Sequence, residues 1–448
     1  MTNLPPSTTI AAVATPPGRG AVGIVRISGP RAGEIAIALL GSRPPPRYAR
    51  WCDFRARSGE PIDRGIALYF PAPNSYTGED ILELQAHGGT AVLHMLLEEA
   101  CALGAVRANP GEFTERAFLN GKLDLLQAEA VAALIDASSN QAARAAVRAC
   151  SGAFSTAVDA VSTQLRSARV LLEAGIDFGD DVADGIDAAK QALVEARASL
   201  QQLLRDAEAG ARLSNGLDVA IIGVPNSGKS TLLNQLCGEE RAIVTPIAGT
   251  TRDVLSVDVM IEGICFRLHD TAGLRDSADP IEQEGVRRAR MRLADADIVL
   301  HVQVLGDSTA ADCVDPSQLA PHQHYLQVWN KIDLAGAAAG RQETPRGPAV
   351  RMSALSGDGL ALLRQTLWEV AGGMTVSEAP FSARARHVAA LHGVASRLDA
   401  ALAQLDGGAV ELCCEELRST HRLLAEMTGE WTSEDLLGAV FSAFCIGK

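Results

Sequence analysis

The stretch that decides the fold of the middle of this chain is GVPNSGKSTLLNQLC, residues 223–237. Its first eight residues fit the pattern G-x-x-x-x-G-K-[ST], placed after the apolar run LDVAIIG and before a helical run. In such a loop, glycines let backbone N–H groups wrap phosphates, Lys229 reaches the β- and γ-phosphate oxygens, and the Ser230 hydroxyl suits Mg²⁺. The sequence therefore predicts a phosphate-binding loop between a strand and a helix. The predicted nucleotide contacts in it are Asn226, Ser227, Gly228, Lys229, Ser230 and Thr231.

Two later stretches extend this site, VTPIAGTTRD at residues 244–253 and HDTAGLRD at residues 269–276. Asp270 follows the strand-like run CFRLH, as expected of a carboxylate that holds Mg²⁺ through water, and Gly273 can offer its N–H to the γ-phosphate. The first stretch carries two adjacent threonines, one of which suits Mg²⁺, and its carbonyls could lie over the phosphates. The predicted contacts here are Thr245, Pro246, Ile247, Ala248, Gly249, Thr250, Thr251, Asp270, Thr271, Ala272 and Gly273.

The base is predicted from NKID at residues 330–333 and SAL at residues 353–355. Asp333 can accept hydrogen bonds from N1 and N2 of guanine, and adenine offers no such pair of donors. The remaining predicted contacts are Asn330, Lys331, Ser353, Ala354 and Leu355. Because these motifs follow the phosphate loop in the order typical of GTPases, the predicted nucleotide is GTP.

One position departs from Ras-like GTPases, which carry a water-orienting glutamine directly after this glycine. Here the residue is Leu274, whose side chain cannot form a hydrogen bond to water, so another group must orient the attacking water. The amide oxygen of Asn226 could bind a monovalent cation that stabilises charge as an arginine finger does. The carboxylate could come from Glu282 or Glu284, and the residues alone leave that choice open.

Composition narrows the class of protein. A chain of 448 residues predicts two or three domains, and the start MTNLPPSTTI lacks the charged and apolar regions of a signal peptide, so we expect a cytoplasmic protein. Nine scattered cysteines without a C-x-x-C pair argue against a disulfide framework or a structural zinc site. A net charge of −14 disfavours sequence-independent coating of nucleic acid, so any RNA contact must be local. Two basic clusters could supply it, although solvated helix faces explain both; they are Arg287, Arg288, Arg290 and Arg292, and Arg384, Arg386 and His387.

The pattern of residue types along the chain predicts a multidomain fold of the α+β and α/β classes. Residues 1–121 mix short β-rich runs with one apolar helix, residues 122–213 are rich in Ala and Leu at helical spacing, residues 214–374 alternate β and α, and residues 375–448 are again helical. The simplest arrangement is one helical bundle interrupted by a Ras-like GTPase domain, since compact domains tolerate insertions whose ends lie close together.

The chain also resembles the MnmE (TrmE) family of tRNA uridine-modifying GTPases, one of the TrmE-Era-EngA-like, potassium-activated GTPases. The resemblance spans its whole length; the matching stretches are TPPGRGAVGIVRISG, PNSYTGEDILELQAHGG, NPGEFTERAFLNGKLDLLQAEA, IDASS, IAGTTRDV, DTAGLR and the terminal FCIGK. It implies potassium-activated hydrolysis, with K⁺ held by Asn226, Thr250 and the carbonyls of Thr245 and Ile247. It also implies that Ser230 and Thr251 hold Mg²⁺, and that Glu282 orients the attacking water through a second water.

The same resemblance implies a second site. The N-terminal domain looks like the folate-binding fold of aminomethyltransferases, with Arg26, Glu83, Lys122 and Lys448 as contacts to 5-formyl- or methylene-tetrahydrofolate. A salt bridge within the domain is an equal explanation of Arg26 and Glu83. Cys445 would serve tRNA modification, and a buried structural cysteine is the alternative.

As activity, the resemblance implies a GTPase that drives carboxymethylaminomethyl-type modification of the wobble uridine at carbon 5 of certain tRNAs. It implies a homodimer built through the N-terminal domains, and an FAD-dependent partner, MnmG or GidA, in a heterotetramer. Two rival classes fit less well. A ribosome-assembly GTPase such as Era or Der would add a KH-type or second GTPase domain, and a folate-dependent aminomethyltransferase would leave residues 216–371 unexplained.

Overall fold

The structure is a computed structural model that describes residues 8–178, 183–239, 256–270, 293–294, 296–306, 319–320, 323–373, 376, 378–431 and 433–447. It divides into two compact units. The first consists of Met1–Ala132 with Ala425–Lys448, and the second of Ala133–Leu424.

The first unit is built on a six-stranded sheet with the order β3-β4-β5-β2-β1-β6. Its strands are β1 (Ile10–Val13), β2 (Gly20–Ser28), β3 (Arg50–Arg55), β4 (Pro61–Phe70), β5 (Ile81–Gly88) and β6 (Val106–Arg107). Every pairing is antiparallel except β1 with β6. Helices α1 (Ala32–Leu40) and α2 (Thr90–Ala102) contribute to one core with the sheet.

Side chains alternate between the two faces of this sheet. Val25 and Ile27 of β2 and Leu84 of β5 are fully buried in the core that α1 and α2 share. Between them, Arg26 is paired with Glu83 across β2 and β5, so both side chains lie on the opposite face. The alternation therefore separates a structural face from a face that carries charge.

The end of the chain also belongs to the first unit. Helices α3 (Glu112–Leu119) and α4 (Leu125–Ile135) follow β6, and the last helix of the chain spans Glu434–Ser442. This last helix brings Val440 and Phe441, with the nearby Phe444, into an apolar cluster with residues of α4. Beyond it, Ile446 forms an antiparallel bridge with Pro110, and the N–H of Gly111 donates to the carbonyl of Cys445 at 3.4 Å. The last residues are thus anchored on this unit through main-chain atoms.

The second unit holds a seven-stranded sheet with the order β12-β13-β11-β10-β7-β9-β8. Its strands are β7 (Leu217–Ile222), β8 (Ser256–Ile261), β9 (Ile264–Asp270), β10 (Ile298–Val304), β11 (His324–Asn330), β12 (Gly340–Thr344) and β13 (Gly347–Arg351). The five inner strands run parallel, and the edge strands β8 and β12 run antiparallel to their neighbours. Both faces of a parallel sheet are usually covered by helices, so its strands are apolar along their whole length. The mostly buried strands β7 and β10 show this pattern.

Helices pack around this sheet and beside it. They are α5 (Asn140–Cys150), α6 (Ala153–Phe178), α7 (Ala183–Asn215), α8 (Lys229–Glu239), α9 (Ile332–Ala335), α10 (Leu360–Val370), α11 (Ala385–Asp406) and α12 (Val410–Thr428). The terminal helix is numbered α13. Ala142 of α5 and Leu213 of α7 share one apolar cluster with sheet residues such as Phe266, so helices from outside the β/α segment help to bury the sheet.

These features confirm the predicted fold class, multidomain α+β and α/β. The predicted boundaries after residues 121, 213 and 374 remain predictions. None of the described helices is long and apolar enough to cross a membrane. The cysteines that the structure describes are all free thiols.

Candidate functional site

The phosphate loop connects β7 to α8, as the sequence predicts, and its backbone depends on unusual torsions. Asn226 has φ 62°, and Gly223 and Gly228 have φ 148° and 98°. A Cβ at Gly223 would lie 2.1 Å from the carbonyl oxygen of Val302, and one at Gly228 would lie 2.2 Å from Nδ2 of Asn330. Side chains are therefore excluded at both glycines by space as well as by φ.

Lys229 opens α8 and folds back over the loop. Its Nζ donates to the carbonyl oxygens of Gly223 at 2.9 Å and Val224 at 3.1 Å. The hydroxyl of Ser227 is buried without a hydrogen-bond partner among the described residues. A buried hydroxyl in that state is rare in folded proteins and is consistent with a polar ligand at this loop.

Asn330 joins the phosphate loop to the predicted base loop. Its Nδ2 donates to the carbonyl of Ser227 at 2.8 Å, and its Oδ1 accepts from the N–H of Ala354 at 2.8 Å. The side chain is 2% exposed. Because the oxygen and the nitrogen of one side-chain amide are both used, Asn330 of the NKID loop holds the phosphate loop at Ser227 and the SAL loop at Ala354.

The predicted guanine acceptor is held by the SAL loop. The hydroxyl of Ser353 donates to Oδ1 of Asp333 at 2.6 Å, and the N–H of Ser353 donates to the carbonyl of Asp358 at 2.9 Å. Lys331 has φ 62°, which turns the chain between β11 and α9, and Leu355 is 78% exposed. The structure thus brings the NKID and SAL residues together at the carboxyl ends of β11 and β13.

The backbone of Asp270 closes β9 and pairs with Ile221 of the neighbouring parallel strand β7. The carboxyl end of β9 therefore lies next to the start of the phosphate loop, where a Mg²⁺-holding carboxylate is expected. Several other predicted residues lie outside the described residues. They are Thr245, Pro246, Ile247, Ala248, Gly249, Thr250, Thr251, Thr271, Ala272, Gly273, Leu274, Glu282 and its alternative Glu284, with Arg287, Arg288, Arg290 and Arg292 of the first basic cluster.

A polar pair beneath this site was not predicted. His269, 5% exposed, lies one residue before Asp270, and its Nε2 is 2.6 Å from Oδ1 of Asp218. The backbone N–H of Asp218 in turn donates to Oδ2 of Asp297 at 2.8 Å. His269 lies at the end of the strand-like run CFRLH, but nothing in the sequence linked it to Asp218, 51 residues earlier.

The charged face of the first unit carries the other candidate site. Nε of Arg26 is 2.8 Å from Oε1 of Glu83, and both side chains are less than a fifth exposed. The guanidinium lies 5.9 Å from the ring centroid of Tyr76 and 5.7 Å from that of Phe113. Its Nη1 also donates to the carbonyl of Gly447 at 3.4 Å. The salt bridge considered above is therefore present, within a cluster that includes two aromatic rings and the chain terminus.

The remaining predicted residues of that site are more dispersed. Nζ of Lys122 donates to the carbonyl of Pro73 at 2.9 Å, in an exposed position. Cys445 is exposed, which does not agree with the alternative of a buried structural cysteine. Lys448 lies outside the described residues. Sequence reasoning missed Tyr76, Phe113 and Gly447, because aromatic contacts between distant segments have no local pattern.

The second basic cluster turns out to be partly structural. His387 is 2% exposed, its Nδ1 accepts the N–H of Arg384 at 3.0 Å, and its ring meets the edge of Phe154. This histidine packs the start of α11 and is unavailable to RNA.

Comparison with known proteins assigns the family. The profile described as "MnmE helical domain" matches residues 125–445, and the one described as "GTP-binding protein TrmE N-terminus" matches residues 9–122. The chain belongs to the MnmE family. A tRNA modification GTPase MnmE from Nitrosococcus oceani is 50% identical over 99% of this chain and 97% of its own length. Another, from Marinobacter nauticus, is 47% identical over 99% of this chain and 100% of its own length.

Membership of the MnmE family makes the chain a GTP hydrolase of a family that acts in tRNA modification, and confirms the prediction of GTP as the nucleotide. A solved structure of a variant of Era from Aquifex aeolicus, bound to GDP.AlF4-, is 26% identical across 34% of this chain and 56% of its own, with a TM-score of 0.27. A score of that size assigns no shared overall architecture.

Proposed function

We propose that this MnmE-family GTPase hydrolyses GTP in a potassium-dependent manner, and that the cycle enables carboxymethylaminomethyl-type modification of the wobble uridine at carbon 5 of certain tRNAs. The observation that carries the nucleotide part is the Asn330 amide, which ties the phosphate loop to the guanine loop within 2.8 Å at each end. The substrate follows from the relatives, which are named tRNA modification GTPases.

The phosphate loop has the organisation that a polyphosphate ligand requires. Lys229 already lies over the loop carbonyls, so its charge is fixed near the position of the β- and γ-phosphates. The orphaned hydroxyl of Ser227 is a further group that a bound nucleotide can satisfy. Asp333, held by Ser353, selects guanine by accepting from N1 and N2.

The residues fit the metal ions that GTP hydrolysis implies. Ser230 lies in the first turn of α8, where hydroxyl oxygen is a suitable Mg²⁺ ligand, with Thr251 as the second protein ligand. Bound Mg²⁺ neutralises charge on the phosphate oxygens. K⁺ would be held by Asn226, Thr250 and the carbonyls of Thr245 and Ile247. Asn226 fits this role because its left-handed backbone lies within the loop, and Glu282 would orient the attacking water in place of a residue at Leu274.

We propose the Arg26 cluster as the site of a tetrahydrofolate derivative, 5-formyl- or methylene-tetrahydrofolate, which would supply one carbon. Glu83 can accept from the amino groups of a pteridine, and the rings of Tyr76 and Phe113 offer flat apolar contact. Lys122 and Lys448 would attract the anionic tail of the folate. Cys445, exposed on the segment that reaches Arg26, would serve the modification step.

We also propose the assembly. The chain would act in the cytoplasm as a homodimer built through residues 1–121, with MnmG or GidA as the FAD-dependent partner in a heterotetramer that acts on tRNA. Residues 214–374 would form the GTPase domain, inserted between helical segments 122–213 and 375–448.

The test measures two quantities that fail separately. GTP turnover by the purified chain should be slow in Na⁺ and rise steeply in K⁺, and Leu274→Gln should not raise it, because the water is held by another residue. Equal turnover in both salts would refute the potassium proposal. Nucleoside analysis of tRNA from a deletion strain should show loss of the modified wobble uridine, restored by the wild-type gene. Unchanged nucleosides would refute the tRNA proposal.

A further inference from the structure

The edge of the sheet in the first unit carries a basic and aromatic segment that neither candidate site uses. Residues 43–57, RPPPRYARWCDFRAR, contain five arginines and one acidic residue, in a chain whose net charge is −14. The segment leads into β3, which is the edge strand of its sheet. We call residues 43–57 the arginine edge.

Three of these arginines keep their charge uncompensated. Nη2 of Arg47 donates to the carbonyl of Asn74 at 2.6 Å, and Nη1 of Arg50 donates to the hydroxyl and carbonyl of Ser42. The guanidinium of Arg43 lies 5.3 Å from the ring centroid of Tyr69. All these partners are neutral, and none of the three forms an ion pair within the part of the chain that the structure describes.

Of the other two arginines of the segment, Arg57 is paired with Glu99, whereas Arg55 shares a carboxylate with a second arginine. Arg55 of β3 and Arg64 of β4 approach the two oxygens of the same carboxylate, Asp53, at 2.7 Å and 2.6 Å. One negative charge shared by two guanidinium groups leaves a net positive charge. The two arginines are also at least half exposed, so their charge acts on the solvent side of the sheet edge.

Two large aromatic side chains lie in the same segment. Tyr48 is 65% exposed and Trp51 is 63% exposed, whereas Phe54, on the opposite face of β3, is fully buried. Exposed rings placed among arginines form the combination that binds unpaired nucleotides, since guanidinium groups contact phosphates and every base can stack on a ring. An apolar partner would not explain the charge, and a small anion would not explain the rings.

We propose that the arginine edge binds tRNA, with Arg43, Arg47 and Arg50 on phosphates and with Tyr48 and Trp51 stacked on unpaired bases. The proposal rests on the proposed function in its choice of tRNA. A second copy of this chain is the competing occupant. It is disfavoured at this edge because a twofold contact brings the same patch together from both sides, and like charges across it repel. The homodimer proposed above would therefore use another part of residues 1–121.

The test is binding of the full-length chain to a tRNA transcript and to its anticodon stem-loop, measured over a range of KCl concentrations. The double variant Arg47→Ala with Arg50→Ala should weaken binding about tenfold or more and lower the salt slope by about 1 to 2, because two phosphate contacts are lost. Trp51→Ala should weaken stem-loop binding about tenfold at an unchanged slope, and Trp51→Phe should restore most of it.

The matched control is Arg197→Ala with Arg397→Ala, which changes the net charge equally. These arginines pair with Asp399 and Glu416 on helices of the second unit. The control should keep tRNA affinity within about twofold, and K⁺-stimulated GTPase activity should be unchanged in every variant. Because the arginine edge lies in the first unit and the nucleotide site in the second, thermal unfolding curves equal to that of the wild type are needed to show that each variant is folded.

Two outcomes would overturn the inference. The first is equal loss of affinity and slope in the edge variant and in the control. The second is a change in oligomeric state by light scattering without loss of tRNA affinity, which would make the edge a contact between copies. Failure of the proposed function looks different, because the wild-type chain would then bind tRNA by this edge while the wobble nucleoside stayed unchanged in a deletion strain.

Discussion

Replacing Asn330 by alanine should weaken the nucleotide site and the fold of the second unit together. The substitution removes the donor to the carbonyl of Ser227 and the acceptor of the N–H of Ala354, both at 2.8 Å. Ser227 is fully buried and Ala354 is 2% exposed, so water cannot readily replace the lost groups. Each buried polar group left without a partner costs about 1–3 kcal/mol, so the two together should cost about 2–6 kcal/mol.

Part of this loss should appear as nucleotide affinity. The substitution would release the phosphate loop and the SAL loop, which are expected to contact the diphosphate and the base. GTP and GDP have both of these groups in common. We expect the affinity for both nucleotides to fall by about tenfold or more, by a similar factor, because 1.4 kcal/mol corresponds to a factor of ten. Titration with a fluorescent GDP analogue and a thermal unfolding curve measure the two effects.

Gln323→Ala is a matched control at the other end of the sheet. Its amide likewise joins loops, since Nε2 donates to the carbonyls of Leu293 at 2.6 Å and Ala296 at 2.8 Å, and Oε1 accepts from Ala320. Gln323 precedes β11, whereas Asn330 ends it. The control should therefore lower the melting temperature without changing nucleotide affinity. Equal nucleotide affinity in Asn330→Ala and the wild type would refute the role of this amide as a link between loops.

Three further predictions concern Asp333, Cys445 and Tyr69. Asp333→Asn should exchange guanine for xanthine preference by a factor that can reach about 10⁴ in kcat/KM for the two triphosphates, and unchanged discrimination would contradict the assignment. Cys445→Ser should leave K⁺-stimulated GTPase near the wild-type rate and abolish the modified nucleoside, whereas joint loss of GTPase and thermal stability would give the thiol a structural role. Burial and the hydrogen bond to Asp80 raise the pKa of Tyr69 from 10 to about 12. The stability that this phenol contributes is therefore complete below pH 10 and is lost as the pH rises through about 12. Denaturant titrations of Tyr69→Phe should lack this alkaline loss, and identical pH profiles for the variant and the wild type would contradict the prediction.

The nucleotide site could be predicted because its chemistry is local. A loop that wraps phosphates needs glycines, a lysine and a hydroxyl within eight residues, and the structure has β7, the loop and α8 in that order. The link made by Asn330 was only partly predictable. The sequence placed it beside guanine, but its contact with Ser227, more than a hundred residues earlier, depends on β10 lying between β7 and β11 in the sheet.

The helical segments show the limit of periodicity. Helical spacing of apolar residues predicted helices within residues 122–213 and 375–448, and Val158 and Leu165 of α6 and Leu391 and Leu398 of α11 are buried. The periodicity of apolar residues predicts which face of a helix is buried, but it does not predict which element packs against that face. Leu125 and Ala128 of α4 share an apolar cluster with the terminal helix, and the two elements come from the two segments expected to form one bundle. Periodicity did not show that this cluster lies in the first unit.

The chain terminus was the least predictable part of the second site, and its physical basis is main-chain contact. Gly447 has φ 96°, and a Cβ there would lie 2.5 Å from the carbonyl oxygen of Val13 and 2.9 Å from Cα of Ala14. Those neighbours are backbone atoms that cannot rotate away, so the close approach requires glycine. The carbonyls of Cys445 and Gly447 accept hydrogen bonds from Gly111 and Arg26, while the thiol of Cys445 is exposed. Because the anchoring atoms belong to the main chain, Cys445 can stay exposed while the end of the chain is held in place.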